Sequence, residues 1–147
     1  MINEKNDFLF ELVNFVAMEK KFYAAPEKEK EAIKAEYENG IKKEIDAKGE
    51  LYKHYFNKYV EAHHLGNHLI DFNVTIFDND IPKMVEEMKS LGIQFFTVSA
   101  RNGDANMVLL FIKNGCQLNG VREVYTSTRN FATRENEKAA AFEFEII

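Results

Sequence analysis

Ile70-Asp71-Phe72-Asn73-Val74-Thr75-Ile76 decides the fold class, because apolar and polar side chains alternate along it with the period of a β-strand that buries one face and wets the other. A short helix, Ile81 to Leu91, follows and is closed by Gly92. Ile93 to Ser99 is then a denser apolar run, the expected central strand. Asn102 to Asn114 is another helix, carrying Met107, Val108, Leu110, Phe111 and Ile112 and stopping at Gly115. Cys116 to Thr126 and Ala139 to Ile147 are two further strands, the last with Phe142, Phe144 and Ile146 inward and Glu143 and Glu145 outward. They are expected to pair as an antiparallel hairpin across a long loop, and the short helices between the earlier strands favour right-handed crossovers.

Upstream of this unit the period is helical. Between Asp7, a candidate N-cap, and Tyr23, the residues Phe8, Leu12, Phe15 and Phe22 recur at three-to-four spacing, with Leu9, Val13 and Val16 beside them. Pro26 suits the first turn of a second helix, and Glu27, Glu29 and Glu31 favour its positive end. Residues 27–50 hold six lysines and eight acids with only Ile33, Tyr37, Ile41 and Ile45 as an apolar stripe, which describes a lightly docked, exposed helix. An unbroken helix from there to His64 spans about 58 Å at 1.5 Å per residue, too long for a domain of this size, so a break is expected at Asn39-Gly40. Helix resumes through Leu51, Tyr52, Tyr55, Phe56, Tyr59 and Val60 and ends near Gly66-Asn67. Tyr52, Tyr55, Phe56, Tyr59 and Val60 form an aromatic stripe read as docking against the other helices and the sheet, in preference to a partner groove. The expectation is an α+β fold: N-terminal helices followed by a β-α-β-α-β-β unit, forming a small mixed sheet with helices mainly on one face. Residues 1–147 form one domain, with a helical portion at 1–67 and an α/β portion at 68–147.

Composition narrows the function classes. A chain of 147 residues that is 46% hydrophobic and 13% aromatic can bury a core, which excludes disorder. A net charge of −5 gives no general attraction to nucleic acid or anionic membranes. The single Cys116 cannot form an internal disulfide, and the apolar stretch Phe8 to Met18 is interrupted by Glu11 and Asn14, so it reads as a core helix rather than a leader. With no apolar run of about 18 residues, no membrane span is expected, and the lone cysteine fits a reducing compartment, so the expected location is cytoplasmic.

Several constellations invite chemistry. Val74 to Asp80 ends in two acids, Asp78 and Asp80, and superficially resembles the first motif of haloacid-dehalogenase-type phosphatases, with Thr97-Val98-Ser99 in place of the second. The later carboxylates that hold magnesium in that chemistry are missing, Pro82 stands where that family usually has Thr or Val, and capping of the helix at Ile81 by Asp78 or Asp80 is the preferred reading. His64 and His68, with Asp71 three residues on, are the only candidates for a metal, and structural histidines are preferred because Leu65 stands where a zinc protease of the HExxH type needs its glutamate. Cys116 reads as core packing. All four arginines, Arg101, Arg122, Arg129 and Arg134, fall within residues 101–134, where with Lys113 they oppose only Asp104 and Glu123. That segment carries +3 and the rest of the chain −8. With Tyr125 and Phe131 nearby it is a candidate surface for an anion, a nucleic acid or an acidic partner, weighed against an ordinary solvated loop.

The run Phe96-Thr97-Val98-Ser99, then Phe111 through Gly120, Glu123-Val124 and Ala141 to Phe144, resembles a family of small proteins of unknown function from Firmicutes and their mobile elements. The resemblance covers the last third to half of the chain. It implies the strand, helix, strand, strand unit, with a polar loop at Ser127 to Asn136, and supplies no catalytic residue. The function expected from all of this is a non-enzymatic cytosolic interaction or regulatory protein without a cofactor, such as an accessory or anti-defence factor of a mobile element or phage, whose partner is another protein. A nucleic-acid or anion binder using Arg101, Arg122, Arg129, Arg134 and Tyr125 is the alternative, and a small phosphatase-like hydrolase is the third reading.

Overall fold

The computed structural model describes residues 17–100 and 104–147, apart from the side chains of residues 41, 44, 45 and 48. The expected cap at Asp7 and most of the helix after it therefore lie outside the described residues, as does Arg101. A helical stretch over 17–24 (α1) is followed by α2 (Glu27–Lys48), α3 (Glu50–Leu65), β1 (Ile70–Phe72), a 3-10 turn at Asp78–Asp80, α4 (Ile81–Ser90), β2 (Phe95–Val98), α5 (Ala105–Lys113), β3 (Cys116–Arg129) and β4 (Asn136–Ile146). The sheet order is β1-β2-β4-β3, with β1 and β2 parallel and the other pairs antiparallel. This is the expected α+β fold with a mixed sheet, and β2 is internal to it. Among the described residues no helix is long and apolar enough to cross a membrane.

The helical break falls nine residues later than Asn39-Gly40. α2 runs through Gly40 to Lys48, and the chain turns at Gly49, where φ is +87° and ψ −174°. A glycine inside an exposed helix costs only about 1 kcal/mol against alanine, which the lysines, glutamates and alanines around it offset. The Gly49 backbone lies in a region that only glycine occupies cheaply. A Cβ there would meet nothing within 4 Å, so the cost of adding one is purely conformational. Gly49→Ala is expected to lower the unfolding free energy by about 1–2 kcal/mol, read from urea denaturation. An unchanged midpoint would mean that the turn relaxes freely.

β1 is shorter than the alternation suggests. Only Ile70, Asp71 and Phe72 pair with β2, after which the Ser99 amide donates to Phe72 O (3.0 Å) and the strands part. Val74 (58%) and Phe77 (67%) are exposed, while Ile76 is buried. Alternation expresses a choice of face but supplies no partner strand, and β2 ends at Val98. The hairpin departs in the opposite sense: β3 and β4 extend to Arg129 and back from Asn136, leaving a six-residue turn where a longer loop was expected.

Register puts Ile70, Phe72, Phe96, Val98, Phe144 and Ile146 on one face. That face receives Tyr52, Tyr55, Phe56 and Tyr59 from α3, Ile81, Val85 and Met88 from α4, and Met107 and Phe111 from α5. The tyrosine-rich stripe is thus core. At its centre Phe96, Phe111 and Phe144 are wholly buried, with ring centroids 4.9–5.5 Å apart. Phe72 stands edge-on to Phe96.

Candidate functional site

The second face of the sheet is polar at its middle. Asp71, Thr97 and Glu143 are neighbours in register across β1, β2 and β4, and Arg122 of β3 reaches Glu143 with Nη1 to Oε1 at 2.8 Å. Asp71 is buried, and both of its oxygens are used: Thr97 Oγ1 donates to Oδ1 (2.7 Å) and Ser99 Oγ to Oδ2 (2.6 Å). Burial pushes the Asp71 carboxyl above the usual carboxylate range, against the opposing pull of Ser99, Thr97 and the Lys58 charge. The trio ties β1 to β2 beneath the apolar core.

This arrangement rearranges the sequence candidates. Ser99 was a partner for Asp78 in the phosphatase reading; its hydroxyl instead donates to Asp71, and Asp78 and Asp80 are exposed in the 3-10 turn. Asp80 occupies the N-cap position of α4, with Pro82 in the first turn, but its carboxylate accepts no cap hydrogen bond. Asp104 does cap, accepting from the Met107 amide at 2.9 Å on α5. His64, His68 and Asp71 do not converge. His64 Nε2 and His63 Nε2 donate to the two oxygens of Glu19 at 3.0 and 3.2 Å, linking α1 to α3, while His68 is exposed. Burial works to raise the Glu19 carboxyl, and the donors His64 and His63 together bring it below its ordinary value. Among the described residues no group of three or more His, Cys, Asp or Glu is placed to hold a metal ion. Cys116 is buried, with its thiol pushed up to about 11 by desolvation, so little thiolate exists at neutral pH.

The arginine segment also separates. Arg122 and Tyr125 border a small cavity of about 130 Å³ with Asn67, His68, Leu69 and Thr97. Asn67, in the loop after α3, is buried and holds both main-chain groups of Tyr125: the Tyr125 amide donates to Asn67 Oδ1 (2.8 Å), and Asn67 Nδ2 donates to Tyr125 O (3.0 Å). Gly66, at φ +100°, allows the Tyr125 ring to approach so closely that a Cβ there would sit 3.3 Å from it. Lys138 Nζ lies 5.2 Å above the same ring.

Arg129 and Arg134 stand apart, at the end of the β3–β4 hairpin. The turn between them is closed by main-chain and side-chain hydrogen bonds. The Asn130 amide donates to Glu135 O (2.7 Å) and the Arg134 amide to Asn130 O (2.8 Å), while Asn130 Oδ1 accepts from Ala132 (2.9 Å) and Thr133 (3.1 Å). Phe131 is turned outward, 102% exposed. Arg134 has φ +61°, the left-handed conformation that glycine or asparagine adopts most readily.

A family model described as a domain of unknown function, DUF7698, matches residues 54–146. The chain belongs to that family. No curated protein and no solved structure matches it. The DUF7698 span begins inside α3 and ends with β4, so it contains the whole sheet, the Asp71 trio, Asn67 and the hairpin turn, and leaves α1, α2 and Glu19 outside. The runs that carried the resemblance in the sequence fall within it.

Sequence reasoning missed Asn67 and Glu19 as anchoring residues. Glu19 is 44 and 45 positions from its histidines and Asn67 is 58 from Tyr125, separations at which no local pattern operates. Pairing of Asp71 with Thr97 had a signal: Asp71 is a polar position of an alternating strand, and Thr97 is a polar residue inside the denser apolar run beside it.

Proposed function

We propose that this DUF7698 protein is a non-enzymatic, cytoplasmic interaction protein, an accessory or anti-defence factor of a bacterial mobile element or phage, and that it acts by docking onto another protein through the β3–β4 hairpin. The observation that carries this reading is Phe131. A whole aromatic ring is exposed to water at the end of two long strands, on a turn closed by two main-chain hydrogen bonds. Holding an apolar anchor ready on an ordered turn reduces the entropy lost on association, and aromatic anchors dominate the energetics of protein interfaces. The nucleic-acid alternative draws on the same place, because arginines beside an aromatic ring suit a stacked base.

The test compares wild-type protein with Phe131→Ser, both immobilised and exposed to host lysate, with bound proteins quantified by mass spectrometry. A small set of proteins enriched on the wild type and lost on the variant is expected, with unchanged circular dichroism. Identical sets on both would remove the hairpin from the function. A salt-sensitive gel shift with a DNA or RNA probe, abolished in the variant, would favour the alternative.

A further inference from the structure

The proposed docking role leaves the chemistry of the partner open, and the charges at the hairpin end specify it. Resting on that role, we propose that the turn recognises an acidic protein surface, with Phe131 entering an apolar socket while Arg129 and Arg134 pair with carboxylates at its rim. The three arginines of the hairpin differ in one respect. Arg122 is neutralised within the sheet by Glu143 at 2.8 Å, whereas among the described residues neither Arg129 nor Arg134 has a carboxylate partner within 4.0 Å. Two arginines without a carboxylate partner among the described residues thus lie two and three residues along the chain from the exposed ring.

Arg134 adds an independent argument. At φ +61° a side chain meets backbone strain that glycine avoids, yet the position carries the longest cationic side chain. The left-handed backbone closes the turn, with the Arg134 amide on Asn130 O at 2.8 Å, and asks nothing of the side chain. The side chain it carries is a guanidinium, whose planar fork fits a carboxylate bidentately, three residues along the turn from Phe131. A protein surface suits this arrangement better than a polyphosphate backbone does. Glu135 and Glu137 are exposed on the same end of the hairpin and the whole chain carries −5, so a continuous line of phosphates running on past the arginines meets repulsion. A discrete pair of carboxylates does not. The net charge of −8 outside residues 101–134 also biases the encounter of an acidic partner toward the arginine-bearing segment.

The probe is a random 12-residue peptide display library selected on the immobilised full-length protein at low salt. Peptides with a bulky apolar residue flanked by Asp or Glu are expected. Measured by fluorescence anisotropy, the best of them should lose about tenfold in affinity with Phe131→Ser and about fivefold with Arg134→Gly or Arg129→Ala. Arg134→Gly should retain or raise the melting temperature, because it relieves the left-handed backbone, so its loss of affinity cannot come from unfolding. Raising the salt should shrink the gap between wild type and Arg134→Gly. Selected peptides that are neutral or basic, or that depend on Phe131 and ignore both arginines, would overturn the acidic-surface inference and leave the docking role standing. A selection that yields no peptide sensitive to Phe131→Ser, or a 12-nucleotide single-stranded DNA that displaces the peptide from the turn, would also overturn it. If the host proteins captured from lysate ignore Phe131 as well, the docking role itself falls.

Discussion

Phe96→Ala is expected to lower the unfolding free energy by about 3–5 kcal/mol, the range for emptying a fully buried aromatic site. Phe96 is 0% exposed and its ring meets Phe72, Phe111 and Phe144 at once, so its removal opens a cavity where β1, β2, β4 and α5 come together. Those neighbours are themselves pinned: Phe144 by pairing on both sides of β4, and Phe111 by α5. Little collapse into the space is available. Phe142→Ala supplies the comparison. It is on the same face two residues along β4 but only partly buried, and should cost less than half as much. Urea denaturation at a common temperature reads both, and a loss below about 2 kcal/mol for Phe96→Ala would show that the three-ring cluster is not the centre of the core.

Asp71→Ala should cost about 3 kcal/mol. The two hydroxyls that donate to the carboxylate lose their acceptor, at about 1–3 kcal/mol for an orphaned buried donor; Thr97, which is buried, is partly rescued by Ile70 O at 3.3 Å, and Ser99 is part-buried. The pH dependence separates desolvation from pairing. Because burial raises the Asp71 carboxyl above its ordinary 3.8, the folded state binds this proton more tightly than the unfolded chain does. The contribution is then complete below the unfolded pKa and declines as pH rises through the raised folded value. Asp71→Asn keeps the neutral shape and cannot titrate. The stability advantage of wild type over Asp71→Asn should therefore shrink as pH rises from the unfolded value through the raised folded one. An advantage that grows over that interval would mean that Ser99, Thr97 and Lys58 outweigh burial.

The order and type of the elements were legible because hydrophobic period survives from sequence into structure. Phe142, Glu143, Phe144 and Glu145 alternate in the chain and in the sheet alike. Extents were less legible, for reasons that differ by element. At Asn39-Gly40 a turn dipeptide is overruled by the helix formers around it. At Val74 the alternation continues past the end of the only neighbouring strand. The candidate site suffered from a different problem: Arg122, Arg129 and Arg134 are close in number, but on a hairpin seven residues span more than 20 Å at about 3.4 Å each. Arg122 is therefore absorbed by the sheet while the other two reach its far end. The polar anchor Asn67 was invisible because its partner is main chain, which carries no signature in a sequence.

That anchor has a consequence for the protein in a crowded solution. β3 is the longest strand and lies at the edge of the sheet, where unpaired main-chain groups can template a strand from another molecule and begin a polymer. Asn67 already occupies the amide and carbonyl of Tyr125 as a neighbouring strand would. Further along, the register slips between Leu118 and Gly120, which sits at φ +147°, so the ladder that an incoming strand would need is interrupted there too. One borrowed side chain and one irregularity divide a fourteen-residue edge into pieces too short to seed growth, and the hairpin can be long without being sticky along its side.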